Sequence, residues 1–203
     1  NLGNAYAELD KLDLAVSQYQ KALQLRPEQS QLYYWMGQAF FGMKQYREAI
    51  DAYRKAIALN SQNPFVYHAL GRAYARTSQV DLAIQEYRRS TAINANQHAP
   101  WFEMGQAYQQ VEQWNLAAES FQRCLQINPY QPNAHFELGR SCVRLGQFDR
   151  ALQQFQLAAD ASPDEPEYSF HAGDALLRMG QVDAALERLE SAVELRPQEL
   201  TYV

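Results

Sequence analysis

The chain has 203 residues, 47% of them apolar, and carries 18 Lys and Arg against 23 Asp and Glu, for a net charge of −5 and a pI near 5.4. That balance lacks the basic stripe of a nucleic-acid footprint, and no apolar run approaches the ~18 residues of a membrane helix. With no signal-peptide pattern at its start, the chain is expected to be cytoplasmic, with no nucleic-acid partner and no direct membrane insertion.

Six glycines, Gly3, Gly37, Gly71, Gly105, Gly139 and Gly173, recur every 34 residues. A fixed period of this length marks stacked copies of one supersecondary unit. With the glycine as slot 8, the chain divides into a truncated unit at 1–29, full units at 30–63, 64–97, 98–131, 132–165 and 166–199, and the start of a further repeat or capping helix at 200–203. A single array over 1–203 is expected, and its opening inside a repeat without methionine suggests a piece of a longer protein. Acid gathers late: residues 160–199 hold ten Asp or Glu and three Arg, which would favour a basic partner there.

In chain order, the first unit carries Tyr6 at slot 11, Ala15 at slot 20, Tyr19 at slot 24, Ala22 at slot 27 and Pro27 at slot 32. The unit from Ser30 repeats this with Phe40, Ala49, Tyr53 and Ala56, but has Ser61 for the proline. The next opens on Pro64 and carries Tyr74, Ala83, Tyr87 and Ser90, with Ala95 at the proline slot. From His98 follow Tyr108, Ala117, Phe121, Cys124 and Pro129. The unit from Pro132 has Cys142 in place of the slot-11 aromatic, then Ala151, Phe155, Ala158 and Pro163. The last full unit opens on Pro166 and carries Leu176, Ala185, Leu189, Ala192 and Pro197.

Slots 4, 7, 8 and 11 share one helical face, and slots 20, 21, 24, 27 and 28 share a second. Each unit therefore reads as helix, short break and helix. Pro64, Pro132 and Pro166 suit a first helical turn, and the slot-32 prolines stop the second helix. Gly146 and Gly180 suit a left-handed end to the first helix, and Asp13, Asp81, Asn115, Asp149 and Asp183, all at slot 18, are the expected N-caps of the second. Small residues at slots 8, 20 and 27 let helices approach to ~8–10 Å, with the aromatics filling the space between. Neither helix buries its apolar face alone, so units must stack.

This pattern resembles the tetratricopeptide repeat: an aromatic at slot 4, Leu-Gly at slots 7 and 8, Tyr at 11, Ala at 20, an aromatic at 24, Ala at 27 and Pro at 32. The stretch Asn1-Leu2-Gly3-Asn4-Ala5-Tyr6 is close to the family consensus. The resemblance implies an all-α, right-handed superhelical solenoid of stacked antiparallel helix hairpins, with first helices lining a concave groove.

Packing uses slots 4, 7, 8 and 11, which leaves slots 2, 5, 9, 12 and 13 on one stripe for that groove. Slot 5 reads Tyr34, His68, Phe102, Phe136 and Phe170; slot 9 includes Gln38, Arg72, Gln106, Arg140 and Asp174; slot 13 includes Arg76, Gln110, Arg144 and Arg178. Together with Phe41, these are the expected partner-binding residues. Phe65 adds apolar area beside them. Rings supply anchoring area, and guanidinium forks grip carboxylates. Arg72 with Arg76, and Arg140 with Arg144, are like-charge i,i+4 pairs, each costing ~0.2–0.5 kcal/mol in an isolated helix. A bound acidic segment would offset that cost. The expected ligand is an extended or helical peptide bearing carboxylates and large apolar anchors. Under the plainer alternative, the rings pack on neighbouring helices and the arginines pair with Glu103, Glu137 or Asp174.

Two specialised forms of the family do not match. A carboxylate clamp resembles lysine at slot 5 with asparagine or arginine at slot 9, and slot 5 here never holds lysine. An asparagine ladder is missing at slot 6, which reads Asn1, Trp35, Ala69, Glu103, Glu137 and His171. His68, His98, His135 and His171 have no metal-ligand spacing. Cys124 and Cys142 occupy packing slots where buried free thiols are expected, a disulfide between them being the alternative because a second helix abuts the next first helix. No catalytic constellation, cofactor or metal is expected. The function expected is a non-catalytic protein–protein interaction scaffold. The alternatives are a substrate-recruiting region of a larger enzyme such as a glycosyltransferase, and an array that self-associates through uncapped ends.

Overall fold

The computed structural model describes residues 2–195. Among them are twelve α-helices and no strand: α1 Leu2–Glu8, α2 Leu12–Leu25, α3 Ser30–Gly42, α4 Tyr46–Leu59, α5 Pro64–Arg76, α6 Val80–Ile93, α7 His98–Gln110, α8 Trp114–Ile127, α9 Pro132–Arg144, α10 Phe148–Ala161, α11 Pro166–Arg178 and α12 Val182–Leu195. The expectations for Asn1, Pro197 and residues 200–203 lie outside the described residues. The helices pack into two compact units, Asn1–Asn96 and Gln97–Val203.

Within the first unit each helix packs on the next, α1 on α2 and so on to α6, and the second unit follows the same scheme from α7 to α12. First helices also meet lightly, α3 with α5 and α7 with α9. The slot-24 rings Tyr53, Tyr87, Phe121 and Phe155 are almost fully buried, as are the slot-20 alanines.

The turn inside each hairpin has one geometry. Slot 15 takes a left-handed backbone in every repeat: Asp10, Lys44, Ser78 and Glu112 at φ 57–61°, Gly146 at 71° and Gly180 at 76°. The following N–H then reaches back to the slot-11 carbonyl, as in Gln45 to Phe40 and Gln147 to Cys142, both 2.9 Å. This six-to-one bond closes the first helix as a Schellman motif. The same slot-16 residue accepts the first bond of the second helix, from Ala49 to Gln45 and from Ala151 to Gln147, both 3.0 Å.

That double use corrects the expected N-caps. The cap is slot 16, as at Lys11, Gln45 and Gln79, and it makes no side-chain capping bond. Asp13, Asp81, Asn115, Asp149 and Asp183 lie one residue inside the second helix instead. The aspartates there sit in the first turn, where the helix dipole favours anions.

The prolines at 64, 132 and 166 open their helices as expected, and Asn63 caps α5 by accepting from the Phe65 N–H at 3.0 Å. Second helices through α10 end at slot 30, whether or not proline follows. Where Ser61 and Ala95 replace it, Asn60 and Asn94 accept from the N–H two residues on, each at 3.0 Å. These Asx turns fix the chain direction that proline would have fixed.

Candidate functional site

In the first unit, α3 and α5 carry the expected residues Tyr34, Gln38, Phe41, His68, Arg72 and Arg76. Slot-5 side chains lie on the slot-24 ring of their own hairpin, Tyr34 on Tyr53 at 6.1 Å and His68 on Tyr87 at 5.9 Å between centroids, each half-buried. Gln38 does structural work. Its Oε1 accepts from the Tyr53 hydroxyl at 3.0 Å, and its Nε2 donates to the Tyr34 hydroxyl at 2.7 Å. Burial, with Tyr34 close by, pushes the Tyr53 hydroxyl well above its ordinary pKa, against the opposing charge of Arg72. Phe41 meets Tyr46 edge-on at 5.3 Å, and the Arg72 guanidinium lies 4.9 Å above the Phe41 ring. Arg76 is exposed in the last turn of α5, where a cation suits the helix dipole.

In the second unit, Phe102 rests half-buried on Phe121 at 5.6 Å. Phe136 is buried, only 6% exposed, between Phe155, Tyr168 and His171. It is a core ring, and the slot-5 column is therefore not uniformly open. Gln106 is half-buried and Gln110 exposed. Phe170 meets His171 edge-on at 5.5 Å.

The arginines have partners of two kinds. Arg140 pairs with Glu137 at 3.2 Å and lies over the Phe136 ring, and Arg178 pairs with Asp174 at 2.8 Å. Arg144 stacks on Trp114 at 4.3 Å, and Arg178 stands over Phe148 at 5.8 Å. A slot-13 guanidinium thus lies on the slot-17 ring of the preceding repeat. Trp114 and Phe148 are not among the expected site residues, although the aromatics at slot 17 (Tyr46, Trp114, Phe148) are visible with the same 34-residue ruler.

A further concavity in the first unit, about 310 Å³, is lined by Asn4, Ala7, Glu8, Leu12, Tyr19, Trp35, Gln38 and Ala39. The sequence signal for it is slight: Glu8 stands alone as an acid in a slot that otherwise holds glycine, glutamine or arginine.

Cys124 and Cys142 are free and buried. Among the described residues no group of three or more His, Cys, Asp or Glu is placed to hold a metal ion, and no helix is long and apolar enough to cross a membrane.

Models of the tetratricopeptide repeat match residues 30–63, 52–85, 108–172 and 146–203, and a model described as TPR repeat matches 3–44. No curated protein matches the chain. Among solved structures, YrrB, described as a TPR protein with an unusual peptide-binding site, is 22% identical, with a TM-score of 0.83 over 91% of this chain and 95% of its own. MamA from Desulfovibrio magneticus RS-1, from residue 41 to its end, is 20% identical, with a TM-score of 0.77 over 84% and 97%. A MamA structure designated MSR-1 C2 is 26% identical, with a TM-score of 0.73 over 83% and 97%.

Proposed function

The chain belongs to the tetratricopeptide repeat family, and from that premise we propose that it is a non-catalytic scaffold whose first helices hold a partner segment bearing carboxylates and large apolar anchors. The repeat fold itself is that of a protein-interaction scaffold. The observation that carries the finer reading is the stacking of exposed Arg144 on Trp114 at 4.3 Å. A guanidinium held over a ring can still offer N–H donors to an acceptor, and it loses little freedom on binding. Arg72 also lies over a ring, Phe41, at 4.9 Å. Arg140 and Arg178 already hold Glu137 and Asp174, so a ligand carboxylate there must displace an internal one.

An array of blocked dodecapeptides with randomised sequence, probed with the purified chain, tests this reading. Enrichment of Asp or Glu with Phe, Tyr or Leu is expected, and it should be lost in an Arg72, Arg76, Arg140 and Arg144 to Ala variant. No selection, or the same selection by the variant, refutes it.

A second reading, end-to-end self-association, is favoured by α12. Val182, Leu186 and Val193 lie along one side of it at 54%, 51% and 37% exposure. The same slots in α8 and α10, where a following first helix packs, are half-buried or buried, as at Trp114, Ala118 and Leu152. Sedimentation velocity over a hundredfold concentration range separates the two: a concentration-independent monomer removes self-association.

A further inference from the structure

The concavity between the first two repeats differs in charge from the rest of the first-helix stripe. Its floor and walls are apolar and aromatic: Trp35, Tyr19, Leu12, Ala7 and Ala39. Trp35 lies 6.1 Å from the buried Tyr19 ring between centroids, tilted by 31°, so Tyr19 backs the half-buried indole that borders the concavity. The charged member of the lining is Glu8. Lys11 and Lys44 stand in the adjoining turns, outside that lining.

Glu8 is also misplaced with respect to its own helix. It is the last residue of α1, where unsatisfied carbonyls make the environment negative. The corresponding residues Arg76, Arg144 and Arg178 are cations in the last turn of α5, α9 and α11. An exposed carboxylate in this position gains nothing from its helix, and an incoming cation would satisfy both the carboxylate and the helix end. The Tyr19 hydroxyl registers the same field: burial first, and then the Glu8 charge, hold its pKa above the ordinary value.

The slot-9 amides complete the wall. Asn4 Oδ1 is occupied by the Tyr19 hydroxyl at 2.8 Å, which leaves its NH₂ to donate elsewhere. Gln38 is held at both ends by Tyr53 and Tyr34. The wall thus offers one aromatic face, one anion and an amide donor, with both slot-9 amides held by tyrosine hydroxyls.

We propose that this concavity is a specificity pocket for a cationic side chain, arginine or lysine, of the segment bound along the first helices. It rests on the groove reading above and adds a polarity to it. Within the first unit the stripe runs from acidic Glu8 on α1, through Gly42 on α3, to basic Arg76 on α5. A bound segment is thus oriented with its cation toward α1 and its carboxylates toward α5. The cation meets the half-buried Trp35 ring by cation–π attraction and Glu8 by charge, and the Asn4 amide donates to a backbone carbonyl.

The test uses the full chain, ¹⁵N-labelled, with the Trp35 indole N–H resonance assigned through Trp35→Phe. The probes are the Nα-acetyl methylamides of arginine, norleucine and glutamate, titrated separately. The arginine derivative is expected to shift the Trp35 signal saturably, with at least fivefold tighter apparent binding than norleucine. Glu8→Gln should abolish that difference, while Asp10→Asn, in the adjacent turn, should retain it. Equal binding of arginine and norleucine, preference for glutamate, or a preference that survives Glu8→Gln overturns the assignment. Failure here with a successful peptide array removes the pocket and leaves the groove; an arginine preference here with a blank array keeps the cation site and removes the groove.

Discussion

Gly37 and Tyr53 are fitted to each other: a Cβ on residue 37 would stand 2.5 Å from Cε1 of the buried Tyr53 ring. The same fit joins Gly139 to Phe155, also at 2.5 Å, and Gly173 to Leu189 at 2.8 Å. The 34-residue glycine period is therefore a period of notches, each filled by the slot-24 side chain of the same hairpin. Gly139→Ala would press a methyl into a ring that has no exposed surface. Overpacking costs ~1–3 kcal/mol and the helix-propensity gain returns ~1. With a contact as short as 2.5 Å the cost lies at the upper end, and a net loss of up to about 2 kcal/mol is expected in urea unfolding. Gly42→Ala is the control. Its methyl meets only the mobile end of Leu12, at 2.8 Å, so it should be neutral or slightly stabilising. Equal stability of Gly139→Ala and the parent chain would contradict the notch.

Glu112 holds φ at 57° in the turn between α7 and α8, a backbone that costs a non-glycine L-residue ~1–2 kcal/mol. Gly146 occupies the equivalent slot, and a Cβ placed on it would have nothing within 4 Å. Glu112→Gly should therefore raise stability by roughly 0.5–1 kcal/mol after the entropy cost of glycine, and Gly146→Ala should lower it by a similar amount. Both shifts should appear in the urea midpoint with an unchanged slope.

The two thiols are predicted to be inert in the native chain. Burial pushes the Cys124 thiol up to about 11, and burial also raises Cys142 despite the opposing charge of Arg150. At pH 8 only about one Cys124 in a thousand is then thiolate, the form that reacts. Ellman's reagent should report no fast thiol in the folded chain and two after guanidinium denaturation. Stoichiometric reaction within seconds under native conditions would show that the packing slots are open.

The first-helix starts at Ser30, Pro64, His98, Pro132 and Pro166 and the left-handed Gly146 and Gly180 are legible in the sequence because each depends on local residues and a fixed register. Residue preference misplaces the N-caps at slot 18 because the Schellman turn makes slot 16 serve both helices, a coupling that preference alone does not display. The slot-5 rings are only partly legible. Phe136 is covered because the next repeat presents Tyr168 and His171 over it, while the equivalents after Phe102 are Ala134 and Glu137. Exposure of a groove ring is thus set by two residues 32 and 35 positions later, outside the helix whose pattern defines it.

His171 makes the stack above Phe136 sensitive to pH. Its ring lies 5.1 Å from Phe136, 5.5 Å from Phe155 and 5.5 Å from Phe170. Burial lowers its pKa, overcoming Glu167, Asp174 and Glu137, which favour the imidazolium, while Arg140 adds to the lowering. A base whose folded pKa lies below its unfolded value binds fewer protons when folded. The unfolded state therefore gains protons first as the pH falls below ~6.5, and native stability declines until the folded pKa has also been passed. Above ~6.5 both states are neutral and the contribution is complete. His171→Phe keeps a ring in the stack and removes the titration. Its melting temperature should fall less than that of the parent chain between pH 7 and pH 5, with the carboxylates common to both as the shared background. Parallel curves for the two chains across that window would show that His171 is protonated in the folded state as readily as in the unfolded one.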